Sequence, residues 1–201
     1  MKLANTLIAL SLFYCAVFIF SAIDPYSRAV WVAEIIPAVL ILTLIVLLSL
    51  RFRFSNTAYL LMFIWLCLHT IGAKYTFANV PFDWFNDAIN SERNNFDRLA
   101  HFSIGLYAYP IAEYLLHRHK LSIKIASSYA LFAIMALAAG YEIVEWWYAE
   151  LAGGDEGIAF LGSQGDIWDA QKDMLMDTLG ALMSLILLWV QQRVFCSSHA
   201  R

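Results

Sequence analysis

The sequence predicts an all-α, polytopic membrane protein, a bundle of about six transmembrane helices with both termini cytoplasmic. Three observations predict it. Of 201 residues, 61% are hydrophobic and only 14% charged, and the mean hydropathy is +0.64; soluble domains carry about 25% charged residues. The apolar residues fall in repeated runs of about 20, the length that crosses ~30 Å of hydrocarbon at ~1.5 Å per residue, without the alternation of a membrane barrel. The basic residues favour one set of alternate loops, which sets orientation.

The first run, 3–23, follows a single lysine and shows no convincing small-x-small cleavage pattern before DPYS. It therefore reads as a retained span, not a signal peptide. Spans at 31–50 and 56–74 follow across the short connections DPYSR and RFRFS, a fourth at 98–116 follows YTFANVPFDWFNDAINSERNNF, and 123–147 and 171–192 complete one integral membrane domain over 1–201. The two loops of about 20 residues are long for a packed bundle, and loops of that length serve as lids or binding surfaces. Within the first of them, VPFDWFNDAIN is predicted to form a short interfacial helix.

Lys2, Arg51, Arg53, Arg118, Lys120, Lys124, Arg193 and Arg201 share the side of the termini, and Arg28, Lys74, Arg93, Arg98 and Lys172 the other. Retention of basic residues inside places both termini in the cytoplasm. Of the 16 acids, only Glu113 lies towards the cytoplasm, so the outer face is acidic. Trp31, Trp84, Phe85, Trp146, Trp147, Tyr148 and Trp168 crowd the same outer boundary, the composition of a headgroup belt; gripping a lipid headgroup or sugar is their second reading. A net charge of -3 and no basic cluster beyond HRHK argue against nucleic-acid binding. Cys15, Cys67 and Cys196 are too scattered for a disulfide framework or a thiolate metal site, and GGDEG lacks the EF-hand spacing.

Chemistry concentrates at the outer ends of the last three spans. Asp97 and His101 are four apart, so on a helix they share a face. Glu142 and Glu145 are neighbours on the fifth span, beside Ala138, Ala139 and Gly140. On the sixth, at about 100° per residue, Asp169, Asp173, Asp177, Gly180 and Ser184 form one polar, small stripe that should face the bundle interior. An Asp at the centre of a span costs roughly 2.5–3.5 kcal/mol on insertion scales, and like charges raise one another's proton affinity. A cluster of this kind needs a cation, shared protons or water.

Three readings stand. His101, Glu142 and Asp173, with Asp97 or Asp177, bind a divalent metal ion, since oxygen-rich sets with one imidazole suit hard or borderline ions. Alternatively, Asp97, His101, Glu142 and Asp173 are catalytic, working as general acid and base without metal. Or the groups form a structural network with Arg98, Lys172 and Lys74. His69, near the outer end of the third span, is a further candidate for the cluster.

Three motifs carry a resemblance: DRLAH with Asp97, Arg98 and His101; EIVE with Glu142 and Glu145; and DMLMDTLG with Asp173, Asp177 and Gly180. Over about residues 97 to 185 they are similar to the VanZ-like membrane proteins, with Glu145 where that family has Gln and Asp177 where it has Asn. End to end, the chain resembles the YjdF-type inner membrane proteins, an uncharacterised family. The resemblance implies location more than activity. The expected function is a periplasm-facing site that binds or acts on a lipid-linked envelope component, with membrane lipids as partners; a cation- or proton-coupled transporter and a non-catalytic scaffold are the alternatives.

Overall fold

A computed structural model describes residues 3–198, with side chains over 5–193. Lys2 and Arg201, which counted towards the orientation, and the side chain of Cys196 lie outside the described residues. The described chain is helical throughout: α1 (Leu3–Ala22), α2 (Arg28–Ser49), α3 (Asn56–Tyr75), α4 (Asp83–Ala88), α5 (Phe96–Gly105), α6 (Ala108–Arg118), α7 (Ile123–Ala152), α8 (Gly154–Leu161) and α9 (Asp169–Ser198).

Serine caps start three of the long helices. Ser27, Ser55 and Ser122 accept from the backbone N–H of Val30, Ala58 and Ile125, each satisfying one of the donors a helix N-terminus leaves free. Helices α1, α2, α3, α7 and α9 are long and apolar enough to cross a membrane. The fourth expected span, 98–116, is not one helix but two, α5 and α6, separated at Leu106 and Tyr107. Pro110 supplies the reason, because its ring clashes with the carbonyl four residues back, that of Leu106. The pair nevertheless runs parallel to α9: Arg98 meets Asp169, Gly105 meets Gly180, and the Tyr109 hydroxyl meets Gln191 at 2.5 Å.

Glycine makes the α5–α9 contact possible. A Cβ at Gly180 would collide with the Phe102 carbonyl, and one at Gly105 with the backbone of Asp177 and Ala181. The two helices therefore touch backbone to backbone, which draws the polar faces of both into one layer.

Helix α3 is the most enclosed of the crossing helices, burying Tyr59, Met62, Trp65 and Leu66 against α1, α2, α5 and α6. Helices α1 and α2 instead turn Leu12, Phe13, Ile36 and Leu44 outward, an apolar surface suited to lipid. Within the segment 80–90, where a short helix is expected, the chain forms the single turn and a half of α4, with Trp84 exposed and Phe82 and Phe85 stacked at 4.9 Å. At this end of the bundle α8 folds back on α7, where Phe160 lies 4.0 Å from the Tyr148 ring and Gly157 packs on the Ala149 backbone.

Candidate functional site

The acidic end divides into two parts. In the first, two arginines hold the carboxylates. Arg93 reaches Asp169 at 2.7 Å and Asp97 at 3.3 Å. Arg98 reaches Asp169 at 2.6 Å and Asp166 at 3.3 Å, and pairs with Asp173. Lys172 adds a 2.6 Å contact to Asp166, and this hydrogen bond first, then one from the Trp168 backbone, holds the Asp166 carboxyl below its ordinary range. The two long loops are tied across the same region: Arg93 donates to the Ser163 carbonyl at 2.6 Å, while Asn94 and Gln164 exchange backbone-to-side-chain hydrogen bonds at 2.9 and 3.0 Å.

This network contains Arg98 and Lys172 as expected, but not Lys74. That ammonium donates to the carbonyls of Ile23 and Asp24 and sits 4.7 Å from the Phe20 ring centroid, closing the α1–α2 connection. Its position at the end of α3 puts backbone carbonyls, not acids, within reach.

The second part centres on His101. Its Nδ1 is 3.3 Å from Asp177 Oδ2, and its Nε2 is 3.7 Å from Asp97 and 3.9 Å from Asp173. The four-residue spacing of Asp97 and His101 and the stripe on α9 thus meet as the helical geometry requires. Asp97, His101 and Asp173 each offer one potential metal-ligand atom within 4.8 Å of the others. Glu142 is outside that group; it is half-buried, and its Oε1 is buried with no hydrogen-bond partner. Asp177 approaches His101 from the other ring nitrogen, and its Oδ1 is likewise buried and unpartnered.

Across from His101 lies a pair that sequence reading missed. Glu34 of α2 is 1% exposed and accepts a 2.9 Å hydrogen bond from the Tyr141 hydroxyl of α7. His69 lies 2.8 Å from the Glu34 carbonyl and 3.5 Å from its carboxylate, stacked on Trp65 at 4.6 Å. His69 therefore belongs to Glu34, not to the Asp97–Asp173 group. The available signal was Glu34 itself, a lone acid nearly two turns into an otherwise apolar span, which by default marks a functional site.

Between these groups is a cavity of about 250 Å³. Glu34, His69, Asp97, His101, Glu145 and Asp177 supply its polar lining. Phe160, Leu161 and Gly162 reach it from α8 and its C-terminal end, so the second long loop contributes to the enclosure. Pro37, Leu40 and Ile41 of α2 and Ile134, Leu137 and Ala138 of α7 continue the lining. Helix α2 packs on α3 and α7 on α6, α8 and α9, and the Tyr141–Glu34 hydrogen bond bridges the two. Leu40 and Leu137 line the cavity yet are 64% and 48% exposed, so the apolar end of the cavity opens sideways between α2 and α7.

Comparison with known proteins places the chain. The model of a family described as "Predicted membrane protein (DUF2238)" matches residues 6–194. This chain belongs to that family. It is also 32% identical over 175 residues to "Inner membrane protein YjdF" of Escherichia coli (strain K12), a match covering 86% of this chain and 83% of the relative. No solved structure matches it. The chain is a multi-pass inner-membrane protein of the YjdF type.

Proposed function

We propose that this protein binds a lipid-linked envelope component at the periplasmic face of the inner membrane, taking it sideways from the bilayer into the cavity under α8. The observation that carries this reading is the cavity's composition: ionisable groups cluster in its lining, and its apolar part runs out between α2 and α7 to lipid-facing leucines. The distribution of basic residues supports the orientation, since Arg51, Arg53, Arg118, Lys120, Lys124 and Arg193 gather at the opposite end.

The roles follow from contacts. His101, with a carboxylate near each ring nitrogen, is the group suited to carry a proton to or from a bound head. Asp177 orients it from Nδ1, and Asp97 faces the cavity beside it. Asp173 is a positioning residue, held by Arg98 and turned towards Nε2.

Lipid extracted from protein purified in mild detergent tests the reading. One lipid-linked species should be enriched over bulk membrane lipid, and depleted in a folded Leu137→Trp variant that fills the lateral opening. An extract matching bulk lipid in both proteins, together with an unchanged envelope phenotype in His101→Asn, would end it.

A second reading rests on the convergence of Asp97, His101 and Asp173 within 4.8 Å: a divalent metal held there would act as Lewis acid on a bound head. The Arg98 guanidinium already pairs with the Asp173 oxygen closest to His101, so a metal ion must displace it. Elemental analysis without chelator decides this reading: a stoichiometric metal lost in both His101→Ala and Asp173→Ala supports it, and metal-free wild-type protein removes it.

A further inference from the structure

We infer that the head taken into this cavity is an ammonium group carried on an alkyl or acyl chain. The inference rests on the proposed lateral binding site and names the chemistry it selects.

Four carboxyl groups line the cavity, those of Glu34, Asp97, Glu145 and Asp177, and among the described residues no lysine or arginine does. The nearby arginines are already paired, Arg98 with Asp166, Asp169 and Asp173 outside the lining, and Arg93 with Asp169 and with Asp97, which leaves Glu34, Glu145 and Asp177 as the lining carboxyls without a guanidinium. The bases in the lining are two imidazoles, and His69 is taken up by Glu34. An anionic head such as a phosphate would therefore enter among carboxylates without a guanidinium or ammonium to meet it. A cationic head meets acceptors on several sides.

An independent observation comes from a single buried atom. Asp177 is 1% exposed, lines the cavity, and leaves Oδ1 without a hydrogen-bond partner. A buried acceptor left unpaired is costly, and what it lacks is a donor. A primary ammonium supplies three donors and no acceptor. Glu145 makes no hydrogen bond or ion pair among the described residues and adds a second open acceptor in the same lining.

The aromatic residues agree with the carboxylates. Trp65, Phe77, Tyr141 and Phe160, from α3, the segment after it, α7 and α8, line the same cavity. Ring faces attract cations through their quadrupole, and cages of aromatic residues with acids are a recurrent means of holding alkylammonium groups. The volume sets how much of the ligand is enclosed. At about 250 Å³ the cavity is smaller than the ~300–1,000 Å³ of pockets that enclose a whole drug-sized ligand. It holds a head and the first methylenes, while the rest of the chain passes between Leu40 and Leu137 into the bilayer.

Titration calorimetry on the full chain in non-ionic detergent tests this with four probes: dodecylammonium, dodecyl phosphate, dodecanol and methylammonium. Dodecylammonium is expected to bind about tenfold more tightly than the other three, and Glu145→Gln and Asp177→Asn, each as thermally stable as wild type, to lose about that factor. Equal or tighter binding of the phosphate or the alcohol overturns the cationic head while leaving the lateral amphiphile site in place. Equal binding of methylammonium overturns the chain. Failure of all three chain-bearing probes overturns both this inference and the function on which it rests.

Discussion

The arginine-paired part of the acidic end and the cavity beside it are built from the same residue type with opposite outcomes. Asp166, Asp169 and Asp173 each have a cation within contact distance. Of the cavity acids, Glu34 on α2 has a tyrosine and a histidine, Glu145 on α7 has no hydrogen-bond or ion-pair partner among the described residues, and Asp177, one turn along α9 from Asp173, has a histidine. Carboxylates compensated by fixed guanidinium groups hold helices and loops together, and their removal leaves the partner charge stranded. Carboxylates left without a fixed cation do little for the fold, and their unused oxygens are available to a ligand. The contrast separates the cluster's structural half from its functional half, which one list of acids could not do.

The largest effect should come from breaking the paired half. Arg98→Ala strands Asp173, leaves Asp169 to Arg93 alone, and should cost on the order of 3–5 kcal/mol of stability, read as a large fall in the thermal midpoint in detergent, with Arg98→Lys recovering only part because a point charge cannot fork to several oxygens. A midpoint equal to wild type would erase the distinction between the halves.

Next in size is the contact on which both halves depend. Gly180→Ala places a methyl group against the Phe102 carbonyl and should cost about 1–3 kcal/mol, while parting α5 from α9 and weakening the His101–Asp177 approach. Retention of full stability would show that these helices separate without penalty.

In the unpaired half, Asp177→Asn and Glu145→Gln should shift stability by no more than about 1 kcal/mol in either direction, because the amide of Asp177→Asn keeps an oxygen to accept from His101 and Glu145 has no partner to strand. A loss as large as that of Arg98→Ala would move both residues into the structural half.

The smallest effect is a pH dependence at the rim. Lys172 depresses the Asp166 pKa, so the folded state gains stability above the unfolded carboxylate value of about 4, and loses it as pH falls below that through the lower folded value. Lys172→Ala should flatten this part of the stability profile at acid pH while leaving the profile near neutrality unchanged. An identical acid limb in the variant would detach Lys172 from the network.

Helical periodicity made half of the site readable in advance. Asp97 with His101, and the stripe through Asp173 and Asp177, are local patterns, and the spacing of a helix dictates which residues share a face. Glu34 and Tyr141 come from helices far apart in the chain, and no periodicity within either one shows that their side chains meet at 2.9 Å. Lys74 was misjudged for the same reason. Its charge was evident, but whether acids or carbonyls lay opposite depended on how α1 and α2 turned back over it.

By itself, the sequence determined the class of the molecule: long apolar runs can satisfy their backbone in lipid only as helices, the basic residues gather at one end, and the acids gather at the other. The break at Pro110 was also written locally, although hydropathy smoothed over it. Only the tertiary structure decided which acids receive an arginine and which face a cavity. Pairing requires two side chains from different helices to arrive within about 3–4 Å, and that is set by the backbone contact of Gly105 with Gly180, by the loops tied at Arg93 and Ser163, and by the space left between α2 and α7.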